Sequence, residues 1–256
     1  MNLLYAASGF LVGTLVGLTG VGGGSLMTPM LVLLFGIHPA VAVGTDLLYA
    51  AVTKSVGTAV HGFNHNIDWR VVRRLAIGSA PATALTLLGL YRLGMSSGVS
   101  SHLMSVVLGV AVLITAALLL ARNWITGLVA RRIGDAGPRH AAGLTVATGA
   151  LLGVLVSLSS VGAGALGVSA LVLLYPRLPT ARIVGSDIAH AVPLTLIAGC
   201  GHWLLHSVDV PLLMSLLSGS IPGIIIGSLI AVRVPDRVVR PILACVLLAA
   251  GGRLVF

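Results

Sequence analysis

The sequence has 256 residues, of which 57% are hydrophobic and only 8% are charged, with a formal net charge of +9. A soluble domain does not need so much apolar surface, so the composition indicates an integral membrane protein solvated by the bilayer. Nearly all the positive charge is arginine in short connections between apolar segments, which argues against a nucleic-acid-binding protein with a basic face.

Ten apolar segments follow one another along the chain, and each is predicted to be an α-helix. In lipid only helices and closed barrels satisfy their backbone groups, and these segments are too long and too evenly apolar for barrel strands. No basic region precedes the first apolar run, so that run is interpreted as a membrane segment and not as a cleaved signal peptide. The predicted segments are 3–20, 24–36, 39–61, 70–91, 99–121, 141–160, 164–175, 180–204, 210–232 and 237–255.

The second and seventh segments, 24–36 and 164–175, are shorter than the others. A helix of about 12 residues covers about 18 Å, whereas the hydrocarbon core of a bilayer is about 30 Å thick. We therefore expect half-length helices at these two places, either re-entrant or strongly tilted.

Arginines fall almost entirely on one side of the membrane if the ten segments alternate in direction. Only Arg92 and Arg253 fall on the other side. Because basic loops stay in the cytoplasm, the arginine-rich side is predicted to be cytoplasmic, with both termini outside, in a multi-pass protein of a cell membrane of the bacterial inner-membrane type. The arginines on the cytoplasmic side are Arg70, Arg73, Arg74, Arg122, Arg131, Arg132, Arg139, Arg177, Arg182, Arg233, Arg237 and Arg240.

The second half of the chain repeats the first. At an offset of 140 residues, Gly13, Val21, Gly22, Gly24 and Pro39 match Gly153, Val161, Gly162, Gly164 and Pro179; at an offset of 141, Gly44, Asp46, His61, His65 and Asp68 match Gly185, Asp187, His202, His206 and Asp209, and the GSAP at Gly78 matches the GSIP at Gly219. Each half holds five segments, an odd number, so the halves are predicted to be inverted relative to each other, as in many transporters.

These observations predict a fold and a division of the chain. The fold is an all-α integral membrane protein, a polytopic helical bundle of two inverted five-segment repeats with broken or half-length helices after glycine-rich turns. The first repeat is predicted over 1–121, a basic cytoplasmic linker over 122–140 and the second repeat over 141–256.

A glycine-rich turn precedes each short segment. Glycine lets the backbone turn without a Cβ clash, and free N–H groups at the following helix start can hold an anion. The turns therefore suggest a substrate-binding site, although the same glycines also suit close helix packing. The candidate residues are Gly22, Gly23, Gly24 and Ser25 in the first copy and Gly162 and Gly164 in the second.

Asp46 and Asp187 are two matched carboxylates inside apolar segments. A carboxylate there is costly, so it usually faces a cavity or a partner, which suggests a coupling or ion-pathway role. The alternative is a helix cap, because "GTDLL" and "GSDIA" place both residues near predicted helix starts. The neighbouring Thr45 and Ser186 are candidate hydroxyl donors to an oxyanion.

Lys54 and His190 extend this set of ionisable groups. Lys54 follows Asp46 by eight residues, so that the two can share one cavity wall; its alternative role is to extend towards the cytoplasmic interface. His190 follows Asp187 by one helical turn, a pair that suits proton relay or metal binding, whereas its counterpart in the first half is Tyr49. The loss of the histidine there argues against a duplicated metal site.

Other polar residues are given plainer interpretations. The pairs His61/His65 and His202/His206 have a helical spacing that can hold a metal ion, with Asp68 and Asp209 as candidate third ligands, but both pairs lie at segment ends and are interpreted as interface histidines. Cys200 and Cys245 are interpreted as small core residues. No catalytic constellation, cofactor motif or nucleotide-binding loop is found, so an enzyme is not predicted.

The stretches "GVGGGSLMTPMLVLLFG", "AVGTDLLYAAVTKSVGTAVHG" and "GSDIAHAVPLTLIAGCGHWL" resemble the TauE/SafE family of sulfite exporters over essentially the whole chain. The resemblance implies a two-repeat helical fold and the export of sulfite, organosulfonates or related small anions. The family commonly has Ser or Thr where this chain has Asp46 and its counterpart Asp187.

The leading hypothesis is a secondary transporter that exports a small anion by alternating access, with Asp46, Asp187 or His190 carrying coupling protons. The alternative is a permease for divalent metals or other cations that uses the same three residues as ligands. A membrane scaffold without transport is the third hypothesis, and the duplicated helix breaks argue against it. The expected partners are a small anion, the lipid bilayer and protons, and faces of small residues allow either a monomer or a dimer.

Overall fold

The computed structural model describes residues 3–19, 24–63, 65–92, 101–132, 138–162, 164–230 and 236–255. Within these ranges every regular element is an α-helix, as the composition predicts. The helices are α1 (Leu3–Thr19), α2 (Gly24–Leu33), α3 (Pro39–Phe63), α4 (Trp69–Arg92), α5 (Ser101–Arg132), α6 (Pro138–Ser159), α7 (Ala165–Leu174), α8 (Thr180–Leu204), α9 (Val210–Ile230) and α10 (Asp236–Val255).

Each predicted segment contains one of these helices, and the two expected short helices are confirmed. Helices α2 and α7 have 10 residues each, which is about 15 Å at 1.5 Å per residue. In the described part of the chain, four helical stretches are both long and apolar enough to cross a membrane: Trp69–Arg92, Ala141–Ser159, Thr180–Leu204 and Val210–Gly227. The fold is therefore that of an all-α polytopic membrane protein.

Helix α5 is longer than predicted. It continues to Arg132, and α6 already begins at Pro138, so the region predicted as a linker at 122–140 is helical over most of its length. The predicted end at residue 121 rested on the arginine that follows. Charge ends the apolar stretch but not the helix, because arginine, leucine and alanine all favour helical backbone.

The closest helix packing joins the two halves of the chain. Helix α1 packs along α9 and α6 along α4, while α3 crosses α8 and α5 packs on α10. Glycines make two of these contacts close. A Cβ at Gly78 of α4 would overlap the carbonyl oxygen of Val146 on α6, and a Cβ at Gly219 of α9 would overlap that of Ala6 on α1.

The buried side chains form two packed groups that correspond between the halves. The first group joins α1, α2, α3 and α9 through residues such as Val16, Leu31 and Leu216. The second group joins α4, α6, α7 and α8 through residues such as Leu75 and Leu171. The two groups meet where α3 crosses α8, so every ionisable residue at that crossing lies between them.

The two cysteines are not core residues, and that interpretation is wrong. Cys200 on α8 and Cys245 on α10 are both exposed on the outer surface of the bundle. Apolar helices of a membrane protein turn apolar residues towards the lipid as well as towards the core, so hydropathy alone does not tell the two faces apart.

Candidate functional site

Asp46 and Asp187 occupy the same position in two corresponding helices. Each is the eighth residue of a helix of 25 residues, counted from Pro39 in α3 and from Thr180 in α8. Both side chains are buried, at 0% and 1% exposure. The capping alternative is therefore wrong, since the two carboxylates lie two turns inside their helices.

The residues that cap helices are Asp68 and Asp209, which were considered as metal ligands. The Asp68 carboxylate accepts a hydrogen bond from the backbone N–H of Arg70 at 3.0 Å, and the Asp209 carboxylate accepts one from Leu212 at 2.9 Å. Each therefore satisfies a free N–H group in the first turn of α4 or α9.

Thr45 and Ser186 connect the two halves. The Thr45 hydroxyl accepts a hydrogen bond from the backbone N–H of Asp209 at 3.0 Å, and the Ser186 hydroxyl accepts one from the backbone N–H of Asp68 at 2.8 Å. The Ser186 hydroxyl also donates to the carbonyl of Arg182. Both predicted substrate-binding hydroxyls are thus engaged in corresponding bonds that hold α3 to the start of α9 and α8 to the start of α4.

Lys54 lies inside the protein and does not extend to the membrane interface. Its side chain is only 5% exposed, and it lies within electrostatic reach of Asp187, Asp46 and His190. The structure therefore brings together all four residues predicted for coupling or ion passage. We call Asp46, Lys54, Asp187 and His190 the central charged cluster.

The Asp46 carboxylate has hydroxyl groups beside it. The Thr28 hydroxyl on α2 donates a hydrogen bond to Asp46 Oδ2. The Ser160 hydroxyl, just after α6, lies near the same carboxylate but does not meet it at hydrogen-bond geometry, and Asp46 Oδ1 has no hydrogen-bond partner among the described residues. Asp46 is thus tied to the short helix of its own half.

The Asp187 carboxylate has a different environment. Neither of its oxygens has a hydrogen-bond partner in the described part of the chain. Its Oδ1 occupies the space where a Cβ of Gly167 on α7 would lie, so the carboxylate packs directly against the backbone of the second short helix. Glycine at 167 is what makes room for it.

His190 and Tyr49 make corresponding hydrogen bonds. His190 Nε2 meets Ser79 Oγ on α4 at 2.8 Å, and the Tyr49 hydroxyl donates to Ser220 Oγ on α9 at 2.7 Å. His190 Nδ1 has no hydrogen-bond partner among the residues that the structure describes. One ring nitrogen of His190 therefore has a structural role, while the other faces the interior unpaired.

The two histidine pairs do not form metal sites of the predicted geometry. His65 and His206 lie beyond the ends of α3 and α8, in a left-handed conformation with φ of 52° and 55°. Both are exposed, whereas His202 is buried and its Nε2 meets the carbonyl of Ser157 at 2.9 Å. Within the described ranges, no group of three or more potential ligands is placed to hold a metal ion.

The glycine-rich turns are described in part. Gly22 and Gly23 lie outside the described residues, as does the side chain of Ser25, while Gly24 is the first residue of α2. In the second turn Gly162 and Gly164 have φ of 115° and 126°, which L side chains rarely adopt. The Gly162 carbonyl accepts hydrogen bonds from the N–H groups of Leu166 and Gly167, so these two donors at the start of α7 are already used.

Sequence reasoning missed the side chains that contact the central charged cluster from other helices. Ser79 and Ser220 were visible as the serines of the repeated GSAP and GSIP, and Thr28 follows the first glycine turn. Their partners could not be found from the sequence, because the hydrogen bonds join residues 111 and 171 positions apart.

Comparison with known proteins adds to this geometry. The model of a family described as sulfite exporter TauE/SafE matches residues 5–254. A probable membrane transporter protein of Bacillus subtilis strain 168, YjnA, is 36% identical over the whole length of both chains. A probable membrane transporter protein of Xylella fastidiosa strain 9a5c is 29% identical, over 90% of this chain and 85% of its own. No solved structure matches the chain.

Proposed function

The chain belongs to the TauE/SafE family of membrane transporters, and from that premise we propose that it exports a small anion such as sulfite, an organosulfonate or a carboxylate. It is a multi-pass membrane transporter and not an enzyme. The anionic nature of the substrate, the coupling to protons and the mechanism are the parts that we propose.

The observation that carries the proposal is the burial of Lys54 at the α3–α8 crossing. It is the only lysine of the chain, and its side chain is 5% exposed. A buried ammonium group is costly unless it is compensated by opposite charge. Asp46 and Asp187 supply that charge in the empty protein, and a bound anion supplies it during transport.

The packed groups suggest how access to this site alternates. The group of α1, α2, α3 and α9 and the group of α4, α6, α7 and α8 meet where α3 crosses α8. We propose that they rock against each other about this crossing, so that Lys54 faces each side of the membrane in turn. The moving units are then mixed groups of helices from both halves and not the two halves themselves.

The proposed topology keeps the sequence-based arrangement. An odd number of helices in each half supports two inverted repeats, with the cytoplasmic linker region between them. The concentration of arginines near the starts of α4 and α8 supports a cytoplasmic location for those ends, with both termini outside and the protein in the cell membrane. Cysteines introduced at exposed Arg70 and at Arg92 test it: an impermeant thiol reagent added outside to intact cells, in a background with Cys200 and Cys245 replaced, should label only the second.

The test of anion transport uses the purified protein. Its thermal stability is measured with sulfite, sulfate, methanesulfonate, carboxylates and divalent metals, because a ligand of the folded state raises the apparent melting temperature by mass action. We expect an oxyanion to stabilise the wild type and Lys54→Arg, and to have no effect on Lys54→Ala. Uptake and release of the same anion by proteoliposomes then measures transport. A response to oxyanions that is the same in Lys54→Ala would contradict the proposal.

One observation favours a second function, the transport of a cation. Asp46 Oδ1 and both oxygens of Asp187 have no hydrogen-bond partner within the described residues, and carboxylate oxygens suit divalent cations. This function predicts stabilisation by a metal alone, which is lost in Asp46→Asn or Asp187→Asn and is unchanged or improved in Lys54→Ala.

A further inference from the structure

The two matched carboxylates have unlike surroundings, although their helices and positions correspond. Asp46 accepts a hydrogen bond from Thr28 and lies beside the Ser160 hydroxyl. At the same offset of 140 residues, Val168 corresponds to Thr28, and Gly20 corresponds to Ser160. The sequence therefore provides two hydroxyl groups near the first carboxylate and neither of the corresponding ones near the second.

The short helices differ in the same sense. Met27 corresponds to Gly167, and its side chain is buried in the apolar core of the first packed group. Gly167 has no side chain, and the Asp187 carboxylate occupies that space. Asp187 is 1% exposed, and its two oxygens have no hydrogen-bond partner among the described residues. A buried carboxylate in this state is held by packing and by charge alone.

The charge that faces Asp187 is Lys54 on α3. The other titratable groups around Lys54 are Asp46 on the same helix and His190 on α8. The short helices α2 and α7 contain no ionisable residue, and in α4 and α6 the ionisable residues lie near the ends, away from Ser79 and Gly153. Lys54 is thus the cation for which Asp187 and any bound anion would compete.

We propose that the matched carboxylates have separate roles, with Asp46 a fixed brace between α2 and α3 and Asp187 the proton carrier that competes with the transported anion for Lys54. The inference rests on the proposed anion transport. When Asp187 binds a proton it gives up its charge, and Lys54 is then neutralised by the anion. The proton and the anion bind together and are released together, and the net direction of transport follows their combined gradients.

Binding of methanesulfonate to the purified protein tests this linkage, because this anion keeps its charge from acid to alkaline pH. In the wild type and in Asp46→Asn, its affinity should fall as the pH rises, by up to about tenfold per pH unit, the limit for one linked proton. In Asp187→Asn the affinity should not depend on pH, because the competing charge is gone. Persistence of the pH dependence in Asp187→Asn, or its loss in Asp46→Asn, would overturn the assignment.

A near-isosteric pair of substitutions adds a matched control. Val168→Thr places a hydroxyl where the second half lacks one, so it should hold the Asp187 carboxylate and weaken methanesulfonate binding. Thr28→Val removes the hydroxyl that Asp46 uses, and it should lower stability while leaving the pH dependence of binding intact. The opposite pattern, with Thr28→Val removing the pH dependence and Val168→Thr keeping it and the affinity unchanged, would reverse the two roles.

A measurement without any ligand separates this inference from the proposed function. Infrared difference spectra of the empty protein between acid and alkaline pH detect the carbonyl stretch of a buried carboxylic acid as it ionises. We expect the band to be absent in Asp187→Asn and present in Asp46→Asn, and the reverse would overturn the roles. If this result holds while no anion binds to the wild type, the proposed function fails and the competition for Lys54 fails with it, but Asp187 remains the proton carrier.

Discussion

The Tyr49 hydroxyl donates a hydrogen bond to Ser220 at 2.7 Å, and this bond joins α3 to α9. The same exchange of halves relates it to the contact between His190 and Ser79, which joins α8 to α4. Two different side chains, a phenol and an imidazole, thus fill one corresponding position and reach one corresponding serine. The position requires a long side chain with a polar end and does not require the same chemistry in the two halves.

Tyr49→Phe should lower the free energy of unfolding by about 1–3 kcal/mol, because it leaves the buried Ser220 hydroxyl without this partner. Denaturant or thermal unfolding in detergent measures the change. A double-mutant cycle with Ser220→Ala should show a coupling of at least about 0.5 kcal/mol. Additive effects of the two substitutions would mean that the bond contributes nothing to stability.

Gly78→Ala should destabilise the protein by about 1–3 kcal/mol or more, because the added methyl group would overlap the Val146 carbonyl and force α4 away from α6. Gly89→Ala on the same helix is the control. Among the described residues, no atom lies within 4 Å of its added Cβ, so alanine should be neutral or stabilise by up to about 1 kcal/mol. Equal melting temperatures for the two variants would show that α4 and α6 do not pack this closely.

Asp209→Ala should cost about 0.5–2 kcal/mol of stability, because it removes the acceptor for the N–H group of Leu212 in the first turn of α9. Asp209→Asn keeps a cap of similar strength and should stay near the wild type in the same unfolding measurement. If asparagine were as damaging as alanine, the carboxylate charge and not the cap would be what matters there.

Gly167→Ala should change anion binding more than stability. Its Cβ would take the space of the Asp187 carboxylate oxygen, and a side chain can move where a backbone cannot. Forcing Asp187 from its rotamer costs about 0.5–1.5 kcal/mol, so methanesulfonate affinity should shift by about two- to tenfold. Gly143→Ala on α6, where no described atom lies within 4 Å of the new Cβ, should leave the affinity unchanged.

The ten helices and the two short ones could be predicted, because hydropathy and length determine both in a bilayer. The end of α5 could not, since arginine marks where the apolar stretch stops and the helix continues beyond it. The faces of Cys200 and Cys245 were misjudged for a related reason: lipid and protein interior are both apolar, and only the packing distinguishes them.

The central charged cluster was found because intramembrane ionisable residues are rare enough to examine singly. What the sequence did not reveal is how each of them is held. The capping motif was assigned to Asp46 and Asp187, while the actual caps are Asp68 and Asp209, because the starts of α3 and α8 lie earlier than the motif suggested. Lys54 was open between the interface and the interior, and only the tertiary structure places it beside Asp187.

The pairing of α1 with α9 has a consequence for how the protein is made. Between Thr19 and Val210 lie 190 residues of chain, so α1 enters the membrane long before its partner has been synthesised. Until then the glycine face of α1 has no lasting neighbour, and the nascent first half cannot settle into its final packing. Helix α6 meets α4 with no such delay, since α4 is already present. The bundle is therefore completed from its second half, and the first helix to be inserted is among the last to find its place.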